Sequence, residues 1–204
     1  MSPTAPSAAP PPPDARVRRT RESLGDALVA LIHEKPFSAI KVQNVLDRAE
    51  VARSTFYAHY RDRDDLFRSD VADFFSLFCA HLERGDDAGD RLAPVRELCA
   101  HVGDEAHAFV AALAATDKLD EAMAVGREIV TGTIERRLAT LPRGRLVAPG
   151  VRPAVSQALA GALFALLTWW LESGMPASPA QMDELFHRLA WSGVGAPAAA
   201  WREP

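Results

Sequence analysis

Between Arg53 and Tyr60 the chain reads RSTFYAHY, a run of small polar, basic and aromatic residues. Wound as a helix, it puts Phe56 and Tyr60 on one face, four residues apart. Arg53, Ser54, Tyr57, Ala58 and Arg61 then project from the other face, with Thr55 and His59 flanking it. Such a surface suits hydrogen bonding to anions and to base edges. An arginine can pair with guanine through two bonds, and a threonine methyl can meet the methyl of thymine. Tyr57, His59 and Arg63 are placed to reach phosphates, Arg63 from the first turn of a following helix, itself an anion-favouring position. Other chemistry is poorly supported. Glu97, Cys99, His101, Asp104, Glu105 and His107 are close in sequence, but Cys99 and His101, two apart, leave a helix on different sides. No H-E-x-x-H, Walker, G-x-G-x-x-G or G-x-S-x-G string occurs. No metal ligand, cofactor or catalytic residue is assigned, and the chain is not read as an enzyme. Cys79 and Cys99 are read as small buried hydrophobes.

The elements needed to hold that surface are all helical, and the fold class is all-α. A first helix is expected over about Val17–His33, its apolar face formed by Leu24, Ala27, Leu28, Leu31 and Ile32, with Pro36 ending it. A short second helix follows over Val42–Arg48, then a turn at Glu50–Ala52 and the third helix, Arg53–Tyr60. Two short helices joined by a tight turn are the layout of a helix-turn-helix, whose second helix enters the major groove. Asp62 reads as the N-cap of a fourth helix reaching about Leu82, with Asp64 and Asp65 in its first turn. RGDDAGD (84–90) is a polar linker. Further helices are expected near Leu92–Val102, Asp104–Ala115, Asp117–Leu141 and Arg152–Ser173. A last helix begins at a capping box, Ser178 with Pro179 and Gln181, and runs to about Trp191.

The domains expected are a disordered Pro- and Ala-rich tail (1–15), a DNA-binding head (16–67), a helical body (68–191) and a flexible tail (192–204). Net charge is −4, unevenly spread. Residues 1–68 carry 11 Lys and Arg against 9 Asp and Glu, while residues 69–204 carry 12 against 18. A basic front and an acidic back fit one anion-facing end. Arg16, Arg18, Arg19 and Arg21 are either a solvated face or a cluster lying along the DNA backbone. Two cysteines are too few for a disulfide framework. No basic segment followed by an apolar stretch opens the chain, and the uncharged run from 153 to 171 reads as a buried helix. A soluble cytoplasmic protein with no membrane partner is expected. Trp169 and Trp170 leave their helix about 100° apart, and ALAGALFALLTWWL (158–171) is apolar nearly all round, so it must be covered on two sides.

The run FSAIKVQNVLDRAEVARSTFYAHYRDRDDLF (37–67) resembles the DNA-binding module of the TetR/AcrR family of bacterial transcriptional regulators. Val42, Val45, Ala49, Val51, Thr55, Phe56, Tyr57, His59, Asp65 and Leu66 match that family's pattern in order and spacing. The resemblance covers about Arg16–Ser69, and LFALLTWWLESGMPASPAQMDELFHRL (163–189) is similar to the last two helices of one branch. It implies a homodimeric transcriptional regulator, acting as a repressor, that binds double-stranded operator DNA of palindromic sequence and is released by a small-molecule effector. The alternative is a ligand-binding or interaction protein on the same scaffold with a decayed head. The resemblance puts Gln43 within reach of bases, Arg53, Ser54, Thr55 and Tyr57 on the reading surface, and Lys41, Tyr57, His59 and Arg63 near phosphates. Three positions depart from the pattern. Glu50 replaces the usual Gly of a left-handed turn, a strain of ~1 kcal/mol or more. Ala52 replaces the Ser that caps the third helix, a loss of ~1 kcal/mol. Lys41 replaces a Thr cap. Packing of Val45, Ala49, Val51 and Phe56 is expected to outweigh all three. The effector pocket is expected among Phe75, Cys79, Val102, Phe109, Met123, Arg127, Val130 and Trp169, taken from apolar faces. The dimer interface is expected at Leu159, Ala162, Leu163, Leu166, Trp170, Leu185, Phe186 and Leu189.

Overall fold

A computed structural model describes residues 13–84, 89–104, 107–116 and 118–194. Their regular structure is entirely helical: α1 (Pro13–Glu34), α2 (Val42–Ala49), α3 (Arg53–His59), α4 (Arg63–Arg84), α5 (Val95–Asp104), α6 (His107–Ala114), α7 (Lys118–Thr140), α8 (Arg152–Glu172) and α9 (Pro179–Val194). Short 3-10 turns occupy Phe37–Ala39, Arg143–Leu146 and Pro149–Val151. The all-α fold class is observed, and the chain divides into two compact units, a head ending at Phe67 and a body beginning at Arg68. Most of the tail expected to be disordered lies outside the described residues, as do 85–88 of the linker and 195–204. Pro13–Ala15 instead belong to α1, which starts four residues before the expected Val17. A proline is tolerated in a first helical turn, where its missing N–H would have no partner.

The head closes on the apolar stripe of α1. Leu24, Leu28, Leu31 and Ile32 are buried with Phe37, Ile40, Val45, Leu46, Phe56, Leu66 and Phe67. The Phe37 and Phe67 rings meet edge to face at 5.4 Å. Asp62 caps α4 as its sequence suggests, accepting the Asp65 N–H at 2.8 Å.

In the body, α8 packs against α7 and α9 against α5. Phe75 of α4 reaches deep because Gly126 of α7 leaves room; a Cβ there would lie 2.4 Å from the ring. Pro149–Glu172 is long and apolar enough to cross a membrane by length and composition alone. One stripe of it, Ser156, Ala160, Leu163, Phe164, Leu167 and Trp170, is buried inside the body. The turn into α9 is held by Trp170 Nε1, which donates to the Ala177 carbonyl at 2.7 Å. The expected capping box is present: Ser178 Oγ accepts from the Gln181 N–H at 3.3 Å, and Gln181 Oε1 from the Ser178 N–H at 2.8 Å.

Candidate nucleic-acid interface

The α2–α3 turn adopts its left-handed step despite its sequence. Glu50 sits at φ 53°, ψ 38°, and its N–H returns to the Leu46 carbonyl. Ala52 supplies no side-chain bond to the start of α3. Packing holds the turn: Val45 and Phe56 are fully buried, and Ala49 and Val51 are half-buried. Ser23 Oγ adds a bond to the Ala49 carbonyl at 3.2 Å. At the N-terminus of α2, Asn44 Oδ1 accepts the Lys41 N–H at 3.0 Å, the return bond of a capping box, while the Lys41 side chain, a donor only, supplies no cap of its own.

Helix α3 presents two faces. Phe56 and Tyr60 are buried, whereas Tyr57, their neighbour in sequence, is 47% exposed. Arg53, Ser54, Ala58 and Arg61 are exposed beside it, and Thr55 and His59 are half-buried at its edges. The Arg53 guanidinium stands 5.4 Å from the Tyr57 ring centre. Its Nη2 approaches the Tyr57 hydroxyl at 3.5 Å, so the two are ordered together on the outer face. Lys41 and Gln43 are exposed on α2, and the Gln43 amide donates to Asp47 at 2.6 Å. Arg61 keeps 82% of its side chain exposed while pairing with Asp65 at 3.0 Å.

Arg63 departs from its expected place. Its Nη1 donates to the carbonyls of Phe37 (2.7 Å), Ser38 (3.2 Å) and Ile40. The guanidinium lies 4.6 Å from the Phe37 ring centre, and only 26% of the side chain is exposed. These carbonyls end the 3-10 turn before α2, so Arg63 is a clamp inside the head rather than a cation held out for phosphate. Sequence spacing carries no sign of this, because the acceptors are backbone groups 23–26 residues upstream.

The candidates for an effector pocket are mostly consumed by packing. Phe75, Cys79 and Val130 are buried, and Phe75 meets Phe164 at 5.7 Å. Val102 and Met123 are half-buried, and the Phe109 side chain lies outside the described residues. Trp169, expected to close the pocket, is 47% exposed. Arg127 is exposed, with its guanidinium 5.8 Å from the Phe164 ring centre. Nearby Glu121 is held by Arg68 and Lys118. Cys99 is buried, and burial pushes its thiol up to about 12; burial raises Cys79 too. His101 instead lies half-buried against Phe74 and Phe78.

Of the interface candidates, Leu163, Trp170 and Phe186 are buried within the protomer's own core. Because α8 is apolar all round, its sequence does not reveal which stripe faces inward. Ala162 and Leu189 are exposed, and Leu159, Leu166 and Leu185 are half-buried. One polar cluster had no sequence signal at all. Arg91 donates to Glu97 (2.8 and 2.5 Å) and to Asp183 (3.1 and 2.7 Å) across 92 residues. His187 Nε2 accepts the Leu92 N–H at 2.9 Å, which joins α9 to the segment before α5.

A three-helix head whose third helix is exposed and bears cations has the layout of a helix-turn-helix. Residues 24–69 match the family described as bacterial regulatory proteins, tetR family. A curated relative, the uncharacterized HTH-type transcriptional regulator YxbF of Bacillus subtilis, is 33% identical over 57 residues. The match covers 28% of this chain and spans only 15% of that protein's length. Among solved structures, a TetR-family regulator from Syntrophomonas wolfei has the same fold at TM-score 0.59 and 14% identity, covering 90% of this chain and 98% of that one. NalD of Pseudomonas aeruginosa, the secondary repressor of the MexAB-OprM multidrug efflux pump, aligns at TM-score 0.54 and 21% identity, over 87% of this chain and 96% of its own.

Proposed function

We propose that this chain is a cytoplasmic, homodimeric repressor that binds a palindromic operator through α3 and leaves it when a small molecule binds the body. The carrying observation is the division of α3. Phe56 and Tyr60 are buried, and every polar side chain between Arg53 and Arg61 stays exposed or half-exposed. A head that had decayed into a packing module would have no reason to keep Arg53, Ser54, Tyr57 and Arg61 solvated on one face. Arg53 and Gln43 read bases, and Lys41, Ser54, Thr55, Tyr57 and His59 complete the surface against the groove and its phosphates.

The dimer follows from α8 and α9. Ala158, Ala162, Ala165 and Trp169 form an exposed stripe on α8, and Leu189 is 56% exposed on α9. A second copy of the same surface covers both, as a two-fold operator requires. Since Phe75, Cys79 and Val130 already fill their space, an effector enters by opening the packing of α4 against α7. The test is a footprint on the DNA upstream of its own gene with purified protein at low salt. Protection of two half-sites about one helical turn apart is expected. Absence of protection at low salt refutes the reading.

A further inference from the structure

On α2 the side chains of Gln43 and Asp47 stand one helical turn apart on the outer face, and both are exposed. The Gln43 amide nitrogen donates to Asp47 Oδ1 at 2.6 Å. A carboxylate only accepts, so this bond settles which way the amide points: turned over, it would set oxygen against oxygen. One of the two Nε2 hydrogens is thereby committed to Asp47. What Gln43 has left for a further partner is one N–H and its carbonyl oxygen. Nor is the Asp47 carboxylate shared with the nearest arginine in sequence, since Arg48 pairs with Glu34 at 2.6 Å. Arg53, at the start of α3, is ordered instead against the ring and hydroxyl of Tyr57.

Base edges in the major groove respond differently to that remaining pair. Adenine offers the N7 acceptor and the N6–H donor side by side, the complement of one N–H and one carbonyl. Guanine offers two acceptors, N7 and O6, and would need both amide hydrogens, one of which Asp47 holds. Its acceptor edge also meets the carboxylate, like against like, which works against the wrong base rather than for the right one. Cytosine and thymine can each use only one of the two groups. We infer that Asp47 is a positioning residue for base recognition: by holding one amide hydrogen of Gln43, it sets Gln43 to read adenine and to reject guanine. The inference rests on the reading above, in which Gln43 meets a base, and names the base. On the free protein the bond is an exposed one and weak; closed off from water in a groove, it strengthens.

The experiment lets the full-length protein select from a library of random-sequence duplexes at low salt. Affinities are then measured on the selected duplex and on its single-base variants. One position in each half-site should favour adenine over guanine by about 5- to 150-fold in the wild type, the range of a two-bond contact. Gln43→Ala should erase that preference and no other. Asp47→Ala should bring adenine and guanine to near equality at the same position, chiefly by tighter binding of the guanine duplex. Asp47→Asn, which keeps the shape but can donate as well as accept, should do the same. Adding Asp47→Ala to Gln43→Ala should change no preference further. Melting temperatures should not fall, since both side chains are exposed, and preferences set by α3 should stay as they are. An Asp47→Ala protein that keeps the wild-type preference overturns this inference alone. So does a Gln43→Ala protein that loses preference for another base or for none, and so does a further loss in the double variant, which would have Asp47 touch the base itself. A wild type that enriches no sequence overturns the DNA-binding reading and this inference with it.

Discussion

The sharpest consequence of the head's geometry concerns Arg63, whose type and place suggest a phosphate contact and whose bonds indicate a clamp. Its Nη1 serves the carbonyls of Phe37, Ser38 and Ile40, with the Phe37 ring 4.6 Å below the guanidinium. One nitrogen has two hydrogens, so three acceptors amount to two good bonds, each worth roughly 1.5 kcal/mol at the low end for a charged donor. Stacking adds ~0.5 kcal/mol, and the 26% residual exposure returns some hydration to the cut carbonyls. Arg63→Ala should therefore destabilise the head by about 2–3 kcal/mol. Because head and body are separate compact units, a single global unfolding curve would mix them. Amide hydrogen exchange isolates the effect: the α2 amides of Val45 and Leu46 should exchange about 30- to 150-fold faster. Arg63→Lys, a point donor without the fork, should recover less than half of the loss. Under conditions where the variant head stays folded, the salt slope of DNA binding should equal that of wild type. A variant with unaltered exchange and a slope smaller by about 0.9 would refute the clamp and restore the phosphate contact.

Three further outcomes follow from the same groups. Glu50→Gly should relieve the strain at φ 53°, for a gain of about 0.5–1 kcal/mol after the flexibility glycine adds to the unfolded chain, read as slower exchange in α3; Glu50→Ala, which keeps a Cβ, should gain nothing. Arg53→Ala should cost ~1–3 kcal/mol on the operator and relax preference at one base pair, whereas Lys41→Ala should weaken all duplexes alike and lower the salt slope by about one, both measurable by competition binding. In acid, burial pushes the Asp183 carboxyl up, but bonds from His187 and Arg91 outweigh it and hold its pKa at about 2, against an ordinary 3.8. The ionised form is the one the fold favours, so its contribution is full above about pH 4 and fades as pH falls toward 2. Circular dichroism across that window should show a shallower decline for Asp183→Asn than for wild type.

What could be read in advance depended on whether a group's partner was local. Phe56 and Tyr60 announce the buried face of α3 because helical spacing ties both to one side, and the outward face follows by subtraction. Ser178 and Gln181 announce their cap for the same reason. The partners of Arg63 and Arg91 are 23–26 and 92 residues away, and nothing in a linear pattern points to a backbone carbonyl or to a carboxylate on another helix. Pro13 misled because it closes a proline-rich run, where it reads as coil rather than as a tolerated first turn.

Helix α8 shows the limit most directly, and it yields a test. An apolar residue at nearly every position predicts that a helix is covered twice, but it fixes no phase. Packing supplies the phase: Ser156, Ala160, Leu163, Phe164, Leu167 and Trp170 face inward, and Ala158, Ala162, Ala165 and Trp169 face out. A charge placed on the two stripes must then do two different things. Leu163→Arg puts a cation in a fully buried core position and should unfold the body, giving lost helical signal at any protein concentration. Ala162→Arg, one residue earlier on the exposed stripe, should leave the protomer's circular dichroism intact and halve the mass seen by light scattering at micromolar concentration. A folded Ala162→Arg variant that keeps the wild-type mass would place the subunit contact elsewhere. A monomeric wild type would remove the need for one.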